Sequence, residues 1–247
     1  MPFFVFFPGD STVAIVLSQD NPQNIPYGND YRERKPFETG FPVRIFHFRR
    51  KKTTVSAMTI RFFGDNSRQG TYALFVTLAE TARLAFGKFR SGTRFLLDHE
   101  ACLYVGSALG DGPSATPLAR RLVRHASRSP GNPPHRIREP MIEAFTKNGL
   151  ARAGFTPPDR KKLHWHIDYL LDCRQAELSS VFVIRSPQRL ETTLSRHAAA
   201  LDETIEIARG LGARDTKNET HLFGVNDLET CMKKLENAIG LICRPCR

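Results

Sequence analysis

Apolar and polar residues alternate most clearly in GTYALFVTL, from Gly70, where Tyr72, Leu74, Val76 and Leu78 interleave with Thr71, Ala73, Phe75 and Thr77. That period of two predicts a strand. ACLYVGSALG predicts a second strand ending on small residues, and ARLAFGKFRSGTRFLL one or two short strands around Arg90, Ser91 and Gly92. SATPLARRLVRHASR has the period of a helix, with Leu118 and Leu122 inward and Arg120, Arg124 and Arg128 in a row four residues apart. A basic, proline-containing stretch over 130–158 surrounds one short helix at 140–148, and SSVFVIR suits a central strand. The helix from Ser186 is the best marked: Ser186 caps it, Pro187 takes its first position, and Gly210 or Gly212 ends it. Leu190, Leu194, Ala198, Leu201 and Ile205 give that helix its buried side.

One stretch is ambiguous. In KKLHWHIDYLL a strand puts His164, His166 and Asp168 on one face, with Leu163, Trp165, Ile167, Tyr169 and Leu171 on the other. A helix makes Leu163, Ile167, Leu170 and Leu171 the buried stripe and stacks His164 one turn from Asp168. Residues 1–57, rich in Pro, Asn and Gly, read as a poorly ordered or accessory extension, 58–225 as the main domain, and 226–247 as a C-terminal helix and tail.

Charge narrows the partner. The formal net charge is +11, and 113–162 carries eleven Lys/Arg against Glu139, Glu143 and Asp159. A concentrated basic stretch of this kind is a footprint for phosphates and points to nucleic acid. Five cysteines, of which only Cys243 and Cys246 are close, argue against a secreted disulfide framework. They offer a thin zinc alternative with Cys231 and His221. The opening MPFFVFFPGD is too short and lacks the basic lead of a signal peptide, and no run reaches membrane-spanning length, so a cytoplasmic protein is expected.

The ordered set of elements carries a resemblance. Gly70-Thr71-Tyr72, then Tyr104-Val105-Gly106, then Arg121 and His125 on one helix, then a strand and a helix bearing Glu191, resembles the GIY-YIG nuclease superfamily. YVGSA, RLVRH and HWHIDYLL are similar to one branch of it, a domain of unknown function in archaea and bacteria sometimes joined to endonuclease III. Two departures stand out: Tyr72 and Tyr104 are 32 residues apart, which implies an extra hairpin, and ARDTKNETHLF stands where that branch carries cysteines.

The resemblance implies an α+β fold, with a small, mostly antiparallel sheet flanked by helices, plus the extra hairpin and a basic insertion. It implies a Mg²⁺-dependent endonuclease acting on DNA, with RNA left open, in repair or in processing of branched or damaged strands. Tyr72 and Tyr104 would face a shared cleft, and Tyr72 would help activate water, which as a phenolate requires nearby positive charge. Arg121, with Arg124 as its rival, would clamp the phosphate; His125 would share a proton relay or the phosphate contact; Glu191 would hold the single Mg²⁺. Arg120, Arg124, Arg128, Lys161 and Lys162 would track the backbone, while Gly70, Gly106, His164, Trp165, His166 and Asp168 would support the site. In that layout the ambiguous stretch is a helix, with Trp165 and Tyr169 free to pack or stack on a base. Two other readings remain: a non-catalytic nucleic-acid binder on the same fold, and a metal enzyme built on His164, His166 and Asp168.

Overall fold

Both faces of the Gly70–Leu78 strand are buried, which places it inside a sheet covered on two sides. Tyr72, Leu74, Val76 and Leu78 enter one apolar core, and Ala73 and Phe75 enter another. The computed structural model describes residues 12–16, 44–48, 58–110, 116–152, 154–156, 161–212 and 219–243. The chain divides into two units, Met1–Thr54 and Val55–Arg247. In the first, β1 (Thr12–Val16) and β2 (Arg44–Phe48) pair antiparallel, Thr12 opposite Phe48. The rest of the expected 1–57 extension lies outside the described residues.

The second unit contains β3 (Thr59–Gly64), β4 (Gly70–Leu78), β5 (Ala82–Ala85), β6 (Arg94–Leu97) and β7 (Ala101–Ala108). Helices α1 (Pro117–His125), α2 (Arg138–Lys147) and α3 (His166–Asp172) follow, then β8 (Ala176–Arg185). Helix α4 (Glu191–Ala199), β9 (Thr204–Glu206), β10 (Leu222–Val225) and α5 (Leu228–Ile242) complete it. The central sheet has the order β3-β8-β4-β7-β10-β9, with β3 parallel to β8 and the other neighbours antiparallel. β5 and β6 form the separate hairpin expected between the two tyrosines.

Helices α1, α2 and α3 cover one face through Leu118, Leu122, Met141, Phe145, Ile167 and Leu170. Helices α4 and α5 cover the other through Leu194, Ala198, Leu228, Cys231, Leu235 and Ile239. The expected mostly antiparallel α+β architecture is therefore present. The C-terminal helix α5 contributes Leu228, Cys231, Leu235 and Ile239 to the second core.

Two helix expectations need correction. Helix α4 begins at Glu191 rather than near Pro187 because the preceding chain is tied to β4: Ser186 N–H donates to the Gln69 carbonyl (3.1 Å) and Leu190 N–H to Thr71 Oγ1 (3.3 Å). It ends at Ala199, not at a glycine, because Thr204 Oγ1 donates to the Ala198 and Leu201 carbonyls and Thr204–Glu206 then pairs with β10. Ile205 is consequently 44 % exposed instead of buried. The ambiguous stretch does form a helix, but only from His166. Leu163 is half-buried rather than core.

Candidate active site

Strands β4 and β7 set Tyr72 opposite Gly106 and Tyr104 opposite Leu74, so both tyrosines rise from the same face of the sheet. Their ring centres are 6.2 Å apart. A Cβ on Gly106 would lie 2.6 Å from the Tyr72 hydroxyl and 2.9 Å from Tyr104 Cε1. The glycine after Tyr104 thus makes room for both rings. Gly70 has a different task, since any side chain there would strike the Ile184 carbonyl of β8. Both tyrosines are buried: Tyr72 is fully covered and Tyr104 is 6 % exposed.

The last residue of α1, His125, is buried against both tyrosines and Trp165. Its Nε2 is 2.9 Å from the Tyr72 hydroxyl. Its Nδ1 is 3.7 Å from Asp168 Oδ1, too far for an ordinary hydrogen bond, and has no other partner among the described residues. An Nδ1 facing a carboxylate carries the proton, so Nε2 accepts from the tyrosine. Burial holds the His125 pKa down at about 4, keeping the ring neutral. Burial also pushes the Tyr72 phenol well above its ordinary value, with the Arg121 charge acting against it. Arg121 does not outweigh burial, so a preformed phenolate at Tyr72 gives way to a neutral phenol donating to a neutral imidazole.

Asp168 joins α1 to α3. It has no exposed surface and takes a two-pronged contact from Arg124, NH1 to Oδ1 at 3.0 Å and NH2 to Oδ2 at 2.9 Å. Its Oδ2 also accepts from the backbone N–H groups of His164 (2.9 Å) and Trp165 (3.0 Å), tying down the start of α3. Lys161 Nζ lies 3.5 Å from Oδ1. Burial alone would raise the Asp168 pKa, but Arg124 and Lys161 hold it well below the usual carboxylate range. Because Arg124 is committed to Asp168, Arg121 is the arginine of α1 that acts on Tyr72. Both guanidiniums stack on Trp165, at 4.2 and 4.4 Å from the ring centre.

This geometry corrects several expectations. The His-x-His-x-Asp face does not exist: His164 precedes the helix, His166 Nδ1 accepts from Gly212 N–H at 3.1 Å, and Asp168 is spent on cations. No cluster of three or more His, Cys, Asp or Glu suited to a metal occurs among the described residues. Arg128 and Lys161 are buried and cannot track a nucleic-acid backbone. Arg128 bonds to the Ala176 carbonyl and to His135, and Lys161 Nζ reaches the Ser127 carbonyl at 3.2 Å. Arg120 and Lys162 are exposed. Trp165 packs on arginines, and Tyr169 packs over Gly87, whose Cβ would lie 2.6 Å from the tyrosine hydroxyl.

Glu191 opens α4 and approaches from the other face of the sheet, yet its charge acts on both Tyr72 and Tyr104. Ser107, next to Gly106, donates its hydroxyl to Glu191 Oε2, and His221 Nδ1 lies 3.0 Å from Oε1. Burial favours the neutral acid, but His221 and Ser107 outweigh it and hold the Glu191 pKa below its ordinary value. The carboxylate is ionised and its side chain is 17 % exposed. Sequence reasoning considered His221 only as a zinc candidate. His221 here serves Glu191 and Glu219 and Cys231 is buried in the second core, while Cys246 of that alternative lies outside the described residues.

The fold and site together define an α+β domain with a polar cluster gathered at two adjacent strands. A family model described as a domain of unknown function, DUF123, matches residues 71–243, and the chain belongs to that family. The matched segment takes in both tyrosines, α1, Glu191, His221 and α5. No curated protein and no solved structure matches the chain. No helix among the described residues is long and apolar enough to cross a membrane.

Proposed function

We propose that this chain is a Mg²⁺-dependent endonuclease of the GIY-YIG type that hydrolyses phosphodiester bonds in DNA, in repair or in processing of branched or damaged strands. One observation carries the reading: the Tyr72–His125 hydrogen bond, with Arg121 and Glu191 acting electrostatically on both Tyr72 and its neighbour Tyr104. These are the residues that the ordered motifs single out, and they come from β4, β7, α1 and α4.

In hydrolysis, the attacking water gives its proton to the Tyr72 oxygen as Tyr72 passes its own to His125 Nε2. The resulting imidazolium is steadied by Asp168, 3.7 Å from Nδ1. Water oxygen bonds to phosphorus, the bond to the leaving oxygen breaks, and that oxygen takes a proton from solvent. Arg121 holds a non-bridging phosphate oxygen, and such electrostatic contacts contribute on the order of 10²–10³ in rate. Glu191 fits a Mg²⁺ ligand because it is ionised, partly exposed and within electrostatic reach of both tyrosines, and one carboxylate with substrate phosphate oxygens and waters is a common Mg²⁺ set. Bound there, Mg²⁺ supplies charge stabilisation for the departing oxygen.

The full burial of Tyr72 favours a second reading, a nucleic-acid-binding module on the same fold without catalysis. Labelled duplex, nicked, flap and branched DNA incubated with Mg²⁺ or EDTA separates the two. The endonuclease cuts only with Mg²⁺, and the module binds without cutting under either condition.

A further inference from the structure

Glu191 has a support that the proposed chemistry does not use. His221 stands between two carboxylates, its Nδ1 3.0 Å from Glu191 Oε1 and its Nε2 3.3 Å from Glu219 Oε2. Glu219 is itself held, accepting from Thr192 Oγ1 at 2.9 Å and facing Arg196 at 3.3 Å. The backbone of His221 is fixed on both sides, its N–H donating to the Leu211 carbonyl at 2.8 Å and its carbonyl accepting from Val105 N–H at 2.9 Å. With 3 % of its surface exposed, the ring has no room to swing away. Its two nitrogens address different carboxylates, so it bridges them and cannot itself gather ligands around an ion.

Glu191 is the first residue of its helix, where a long side chain would otherwise sample several rotamers. Here one oxygen is met by Ser107, from the strand that carries Tyr104, and the other by His221, from the chain entering β10 beside that strand. The carboxylate is therefore aimed relative to the tyrosines by the sheet itself.

We propose that His221, braced by Glu219, is a positioning residue that fixes Glu191 for a divalent cation. The inference rests on the reading of Glu191 as the metal ligand. Partners that orient a ligating side chain commonly contribute about 10–100-fold to metal affinity.

The test is Mn²⁺ binding to the full chain, followed by electron paramagnetic resonance, for wild type, Glu191→Gln, His221→Gln, His221→Asn and Glu219→Gln. An asparagine amide falls where Nδ1 lies and can still reach Glu191, whereas a glutamine amide falls nearer Nε2 and faces Glu219. The expected order is wild type with one Mn²⁺, His221→Asn close behind it, His221→Gln weaker on the order of 10–100-fold, and Glu191→Gln without binding. Glu219→Gln, which leaves the histidine in place, is expected to weaken binding less than His221→Gln. It also serves as the measure should His221→Gln fail to fold.

Binding by both His221→Gln and Glu219→Gln as tight as wild type, or tighter, overturns the inference and leaves Glu191 as ligand intact. Tighter binding would mean that His221 competes with the cation. No Mn²⁺ on the wild-type chain overturns the metal-ligand reading and this inference together.

Discussion

The hydroxyl of Tyr72 and Nε2 of His125 are 2.9 Å apart in a fully buried setting, and the far side of the imidazole faces Asp168. A strand residue, a helix terminus and a second helix are thereby joined through one proton path. Tyr72→Phe removes the path while keeping the ring. Single-turnover cleavage is expected to fall by roughly 10²–10⁴. Stability is expected to drop only about 1–2 kcal/mol, from the unpaired His125 nitrogen. Rapid-quench kinetics and urea denaturation on the same preparation check both.

Gly106→Ala tests the packing beneath the pair. The added methyl meets the Tyr72 hydroxyl at 2.6 Å and Tyr104 at 2.9 Å, and neither ring has free space to yield into. The expected cost is about 1–3 kcal/mol, seen as a lower urea midpoint, with loss of any cleavage.

The basic residues divide by burial. Arg120→Ala and Lys162→Ala, at exposed positions, are expected to weaken DNA binding and reduce the slope of log affinity against log salt by about 1 each. Lys161→Met acts on the fold instead, because it removes a buried cation from Asp168. Its effect belongs in the denaturation curve and not in the salt slope. Fluorescence anisotropy at several salt concentrations distinguishes the two behaviours.

The fold's response to acid follows from His125. Burial lowers its pKa from 6.5 to about 4, so the unfolded chain takes up a proton first as pH falls. Stability contributed by keeping this ring neutral is complete above pH 6.5 and is lost as pH drops toward 4. The loss is on the order of 3 kcal/mol. His125→Gln is expected to flatten this part of the stability–pH curve, measured as urea midpoints from pH 7 to pH 4. An unchanged slope would show that other groups govern the acid response.

Much of this arrangement was legible because strands and helices announce themselves by period. The alternation at Gly70 and the spacing of Leu118, Leu122 and Arg121 placed Tyr72 and Arg121 on the right elements. What escaped was set by contacts distant in sequence. The first turn of α3 is fixed by Asp168 accepting from His164 and Trp165, and the end of α4 by Thr204, neither of which has a periodic signature. Arg128 and Lys161 read as surface charges because they stand in a strongly basic stretch, whereas contacts with β8 and Asp168 take them up. His221 gave no signal of its role, since Glu191, the carboxylate it fixes, lies on α4, distant in sequence, and its own segment shows no regular pattern.

The most direct test of the central claim compares wild type with Glu191→Gln on a labelled panel of duplex, nicked, flap and branched DNA, each with Mg²⁺ and with EDTA. The endonuclease reading predicts Mg²⁺-dependent cutting by wild type, abolished by EDTA and by Glu191→Gln, with DNA binding retained in the variant. Binding without cutting by the wild-type chain across the panel, or cutting that survives both EDTA and Glu191→Gln, would contradict it.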